Sequence, residues 1–425
     1  MPSATSVDGA LHADLAELYR DLHRHPELSF QETRTARIVA ERLRRTGFET
    51  TTEVGRTGVV GVLRNGDGPT ALLRADMDAL PVPEATGLPY ASAARGRNRD
   101  GQEVPVMHAC GHDMHMTCLL GAASVLAGDR ASWSGTVLLV FQPAEEIWAG
   151  ARAMVDDGLF DRFGRPDIVL GQHVAPMPAG TLGLHAGPAL AAADSVRITL
   201  FGRGGHAAVP QATVDPVVMA ASAVLRLQTL VSREVAGTDF AIVTVGALHA
   251  GTKENIIPDH ADLLVSVRSA DPAVRRRLHE GIDRIVRAEA SASGAPRDPE
   301  VVLFDHSPVL VNDEQATART RAAFAELIAP RPVLDPGLVG VTEDFGLYAT
   351  EAGVPGVFWW LGGADPAAFE EASGPEEVLR LMTRLPTNHS PLFAPVIEPT
   401  LATGVAALVC AARTWLPPGG AQEAR

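Results

Sequence analysis

The chain has 425 residues, more than one ordinary hydrophobic core holds, so two domains are the default expectation. Its 46% hydrophobic and 20% charged residues are normal for a globular protein, and its net charge of −15 argues against nucleic-acid or anionic-membrane partners. The first thirty residues show no basic stretch followed by an apolar one, as a signal peptide would. No apolar run approaches the ~20 residues of a membrane span. The expected compartment is the cytoplasm.

In chain order, residues 11–24 and 31–46 carry helical spacing, with Pro26 between them. Strand-like runs follow at 57–63, 70–76, 135–142 and 166–173, with a helical stretch near 115–127. This alternation predicts an α/β domain with a mostly parallel sheet. Near residue 190 the pattern changes to strand, helix, strand, strand, helix, which predicts a compact α+β unit of ferredoxin-like type. After about 305 the α/β pattern resumes, with "VPGVFWWLGG" as a strand. The reading is therefore a catalytic domain of residues 1–189 and 304–425, interrupted by a smaller domain at 190–303. The tail "PPGGAQEAR" reads as frayed.

Ligand crevices in parallel sheets lie beyond the carboxyl ends of the strands. Asp76 and Asp78 end one predicted strand, Glu145 and Glu146 another, and His173 a third. Adjacent carboxylates such as Glu145 and Glu146 repel each other unless a cation sits between them. "HACGHD" adds Cys110 and His112, and "TNHSP" adds His389. One thiolate with imidazoles and carboxylates is a borderline donor set, suited to Zn, Mn, Co or Ni. One glutamate can then hold the cation while its neighbour stays a free base. Three cysteines make a poor disulfide framework, and Cys118 and Cys410 sit in apolar helical surroundings as small hydrophobes.

The segments "LHRHPELSFQE", "LRADMDALP", "MHACGHDMH", "FQPAEE", "GQHV", "GRGGHAAVP", "GTKENIIPD", "TEDFG" and "NHSPLF" occur in that order along nearly the whole chain. With them the chain resembles the M20 metallopeptidase superfamily, in its aminoacylase/amidohydrolase branch of hippurate hydrolases, auxin-conjugate hydrolases and N-acetyl-diaminopimelate deacetylases. The resemblance implies two divalent metal ions per subunit, held by Cys110, His112, Glu146, His173 and His389, with the Cys110 thiolate bridging them. It implies Glu145 as general base. Asp78 and Asp113 resemble acids that orient ligand histidines. In the inserted domain, His206 falls where the family stabilises the oxyanion, and Asn255 and Arg268 where it binds a substrate carboxylate. The inserted domain itself would serve as a lid and as the surface of a homodimer.

The chain departs from the family pattern at Trp148, at Met114 and Met116 beside His115, and at Lys253 and Glu254. These bear on the acyl and amine preferences and leave every ligand position intact. The expected activity is metal-dependent hydrolysis of N-acyl amino acids, small molecules with a free carboxylate. A dipeptidase or carboxypeptidase of the same superfamily is the alternative. A non-catalytic binding protein would have lost the base or a ligand. A nicotinamide enzyme is set aside because "FGRGGH" lacks G-x-G-x-x-G spacing.

Overall fold

The computed structural model describes residues 8–418, so the tail expected to be frayed lies, beyond Pro418, outside the described residues. The described residues form two compact units. The first is made of the residues up to Ala189, Val311–Leu338, and those from Asp344 onward.

Its centre is a sheet of seven strands. In order across the sheet they are Glu49–Val54, Gly58–Asn65, Gly135–Gln142, Thr70–Asp76, Ile168–Pro178, Gly356–Ala364 and Leu182–Gly183. The middle strands, from Gly135–Gln142 to Gly356–Ala364, run parallel, and antiparallel strands form the edges. Parallel strands are covered on both faces and so read as continuous apolar runs. "GTVLLVFQ" is such a run, buried along nearly its whole length. Helices Gly9–Arg24, His112–Gly128 and Thr400–Trp415 share one core with the sheet, in which Leu15, Leu22, Leu119, Trp359 and Leu408 meet.

Helix His112–Gly128 starts three residues before the predicted 115–127. Gly111 explains the early start. It takes φ +84°, which favours glycine, and a Cβ there would lie 2.3 Å from Val174 Cγ1. The helix is apolar nearly all round, as a fully enclosed helix must be, and Met114 and Met116 are part of its core contact.

The second unit comprises Leu190–Leu310 and Val339–Glu343, whereas the sequence suggested 190–303. The return segment belongs there through its backbone: Ala191 N donates to Val339 O (3.2 Å) and Val341 O (3.0 Å). Four antiparallel strands lie in the order Ala241–Ala250, His260–Ser269, Ala192–Phe201, Glu300–Ser307. His260–Ser269 alternates buried and half-buried residues, the period expected of a sheet covered on one face. Helices Pro216–Thr229 and Pro272–Ala292 supply Leu227, Leu278 and Ile282 to the core beneath it.

Candidate metal centre

The first unit carries every donor suggested as a ligand. Glu145 and Glu146 follow strand Gly135–Gln142 in a single 3₁₀ turn, Glu145–Ile147. Ala144 (φ +50°) and Trp148 (φ +49°) flank this turn in left-handed backbone, and Trp148 N closes it on Glu145 O at 2.7 Å. Non-glycine residues adopt such φ values only where the surroundings hold them. His173 lies inside strand Ile168–Pro178 rather than at its end, opposite Trp360 of the neighbouring strand. His389, at φ +71°, donates its N–H to Ala109 O at 2.7 Å. Asn388 Nδ2 donates to both Cys110 O and Val174 O at 3.1 Å. One amide thus ties the His389 loop to the Cys110 loop and to the strand of His173.

The donors converge. Cys110 Sγ and His173 Nε2 are 3.5 Å apart. His112 Nε2 lies 3.7 Å from Glu146 Oε1, and His389 Nε2 lies 3.3 Å from Glu146 Oε2. The donor atoms of Cys110, Glu146 and His389 fall within 4.8 Å of one another, and so do those of His112, Glu145 and Glu146. Two donors about 2.0–2.3 Å from one tetrahedral ion sit about 3.3–3.8 Å from each other, so these spacings suit a shared cation. Two of the atoms, His112 Nε2 and Glu146 Oε1, are buried without a hydrogen-bond partner. Buried polar atoms are rarely left so unless an ion or water belongs there. His112 Nδ1 donates to Asp78 O at 2.8 Å, so in the neutral ring Nε2 carries the lone pair, facing the glutamates.

The electrostatics point the same way. Burial disfavours a charged His112, yet Asp76, Asp78 and Glu146 raise it to about 10. That is the signature of surplus negative charge, which a cation would neutralise. Burial and the neighbouring His115 keep His173 well below its usual value, which favours the neutral form, the one in which an imidazole can ligate.

Supporting residues fix the donors. The Asp78 carboxylate accepts Glu145 N at 3.0 Å, Glu146 N at 3.1 Å and Ser29 Oγ at 2.6 Å. It therefore holds the glutamate turn, while the Asp78 carbonyl orients His112. Asp113 was expected to orient a ligand histidine; its carboxylate instead meets His23 Nδ1 at 2.7 Å and Met114 N at 2.9 Å. His23 Nε2 reaches Glu84 Oε1 at 3.1 Å.

Sequence reasoning gave no role to His115, Glu32 or His23. His115 Nδ1 pairs with Asp76 Oδ1 at 2.6 Å and its Nε2 accepts Val174 N at 2.8 Å. Both ring nitrogens are used, so His115 braces the strand of His173, although donor atoms of Asp76, His112, His115 and His173 lie within 4.8 Å of one another. Fully buried Arg74 holds Asp76 Oδ2 at 2.6 Å and Gln142 Oε1 at 2.9 Å. The available signal was the set of charged residues inside strand "TALLRAD", which a buried strand admits only when they are paired.

His206, Asn255 and Arg268 belong to the second unit. His206 is exposed in strand Gly205–His206, which pairs with Ile256–Ile257, and Ala207 N donates to Asn255 O at 3.1 Å. The glycines before His206 serve close approach: a Cβ on Gly204 would lie 2.8 Å from Ile257 O, and one on Gly205 2.7 Å from Thr213 Cγ2. Half-buried Arg268 donates Nη1 to Gly340 O (3.0 Å) and Thr342 Oγ1 (2.9 Å). Lys253 and Glu254 are exposed.

Thiol chemistry tests the centre. Burial raises the Cys118 thiol, and pushes half-buried Cys410 up to about 11, so both react slowly at neutral pH. If Cys110 ligates, chelation of the metal should speed its alkylation at least tenfold, as peptide mapping would show. Equal labelling with and without metal would remove Cys110 from the ligand set.

The sequence profile described as Peptidase family M20/M25/M40 matches residues 72–385. An N-acetylcysteine deacetylase of Bacillus subtilis (strain 168) is 36% identical over 364 residues, covering 84% of this chain and 90% of the relative. A hippurate hydrolase of Campylobacter jejuni subsp. jejuni is 38% identical over 349 residues, 80% of this chain and 85% of the relative. Among solved structures, a Bacillus subtilis protein described as a dinuclear metal binding peptidase from the M20 family superimposes with a TM-score of 0.75 at 31% identity, covering 96% of this chain and 99% of that one.

Proposed function

The chain belongs to peptidase family M20/M25/M40, and from that premise we propose that it cleaves N-acyl amino acids into a carboxylic acid and a free amino acid. It is a metal-dependent amidohydrolase with a site for two metal ions. The observation that carries the reading is the glutamate turn. The backbone amides of two adjacent glutamates are held by Asp78, with unpartnered Glu146 Oε1 and His112 Nε2 3.7 Å apart.

Cys110, His112, Glu146, His173 and His389 would hold the cations, drawn from Zn, Mn, Co and Ni. When bound, they polarise the scissile carbonyl and acidify water. Glu145 takes a proton from the attacking water as its oxygen bonds the carbonyl carbon. It then delivers that proton to the amide nitrogen as the C–N bond breaks. We assign His206 to the developing oxyanion and Asn255 and Arg268 to the amino-acid carboxylate. Burial lowers the pKa of Arg268 from its ordinary value, a cost a bound carboxylate would offset. Among the described residues no helix is long and apolar enough to cross a membrane, and the cytoplasm remains part of the proposal. So does a homodimer built on the second unit, where Val218, Leu225 and Phe304 are exposed and strands Ala241–Ala250 and Glu300–Ser307 are sheet edges. Its mass in solution would show it.

The test is a screen of acetyl-, benzoyl- and indoleacetyl-amino acids, free dipeptides and C-terminally amidated controls. The metal-free protein is first reconstituted separately with Zn, Mn, Co and Ni. The expected result is cleavage of N-acyl substrates with a free carboxylate and poor cleavage of the amides. Arg268→Ala should harm the free acids far more than the amides, because only the free acid loses a charge-assisted pair. Cleavage of free dipeptides alone would favour the dipeptidase reading. Equal losses on acid and amide would leave Arg268 a structural role only.

A further inference from the structure

Glu32 stands at the N-cap of helix Thr33–Arg45 but makes no side-chain cap there. The work of the cap is done by Glu27, whose carboxylate accepts Arg34 N at 3.1 Å and Thr35 N at 2.8 Å. The Glu32 side chain turns inward and is fully buried. Its Oε1 accepts Ala144 N and Phe30 N, both at 2.9 Å, and its Oε2 accepts the Thr57 hydroxyl. Burial together with the charge of Asp78 pushes Glu32 up to about 7, so this placement is costly.

The contact falls at a decisive point. Ala144 is the left-handed residue immediately before Glu145. Asp78 holds the next two amides, those of Glu145 and Glu146. Three successive N–H groups are therefore fixed by two buried carboxylates. The dihedrals of Ala144 decide where the chain delivers Glu145, and a side chain displaced by about 1 Å can cost about 100-fold in rate.

We propose that Glu32 is a positioning residue for the reaction: by gripping Ala144 N it holds the glutamate turn so that Glu145 meets its proton. This rests on the assignment of Glu145 as base. What matters is the reach of the Oε1 acceptor. Glutamine keeps that oxygen, and its amide can donate to the Thr57 hydroxyl in place of Oε2. Aspartate keeps the charge but withdraws the acceptor by one methylene.

The experiment compares Glu32→Gln, Glu32→Asp and Glu32→Ala with Glu145→Gln, measuring kcat, KM and bound metal on the reconstituted enzyme. Glu32→Gln should stay within about threefold of wild type in kcat. Glu32→Asp and Glu32→Ala should lose about 10- to 100-fold in kcat, with KM within about twofold and metal content unchanged. If Glu32→Ala does not fold, the order of Gln and Asp carries the test alone. Aspartate retaining activity while glutamine loses it would overturn the proposal in favour of charge. Near-normal kcat in both Glu32→Asp and Glu32→Ala would overturn it with the base assignment intact. Normal turnover in Glu145→Gln would overturn both.

Discussion

Replacing Glu145 by glutamine should lower turnover by about 10²–10⁴-fold while the protein keeps its metal. On the proposed roles the two acids of the turn divide the labour. Glu146 faces two imidazoles, with Oε1 3.7 Å from His112 Nε2 and Oε2 3.3 Å from His389 Nε2. Glu145 is buried beside it, with Oε2 4.0 Å from His112 Nε2. On the proposed roles Glu146 ligates and Glu145 stays the base. Glu146→Gln should therefore lose metal as well as turnover, because an amide is a poor substitute for a carboxylate ligand. Turnover and metal content, measured on both variants, decide the matter. A Glu145→Gln protein with near-normal turnover would show that another group takes the proton. Full metal content in Glu146→Gln would remove Glu146 from the ligand set.

The parts of this centre legible in sequence were those set by local pattern. "VLLVFQ" reads as a covered strand because its neighbours bury both faces, and the acids after it must then emerge at the carboxyl end of the sheet. Cys110 and His112 are legible because Gly111 lets a tight turn precede a helix. What could not be read was pairing across long separations. Asp113 looks like a partner for a nearby histidine, but its carboxylate is taken by His23, 90 positions away. Asp78 meets His112 as expected, through its carbonyl, but sequence did not show that its carboxylate also holds the two glutamate amides 67 and 68 positions on. His115 was given no role, and only the Val174 amide on its Nε2 shows that it braces the strand of His173. Segment 339–343 lies beyond the apparent end of the inserted domain because a few backbone hydrogen bonds, not a change of pattern, place it there.

The His23 pairing sets up the largest expected effect on stability. The side chains of His23, Asp113 and Glu84 are all fully enclosed. Burial opposes a charged His23, but its hydrogen bonds to the Asp113 and Glu84 carboxylates raise it to about 10. At neutral pH it is therefore an imidazolium between two carboxylates. His23→Leu fills much of the volume but strands both acids, and breaking a buried pair in this way costs about 3–5 kcal/mol. The damage should reach the metal centre. Asp113 adjoins His112, and beside Glu84 the Ala85 amide donates to Pro391 O at 2.8 Å, two residues from His389. The pH dependence follows from the raised value. The stabilisation is complete below the unfolded histidine value of 6.5 and disappears as pH rises through about 10. Urea unfolding of both proteins should therefore show a wide gap at pH 7 that narrows toward pH 10. A His23→Leu protein within about 1 kcal/mol of wild type at pH 7 would mean that His23 is not the cation binding these acids, since losing it should cost several times that.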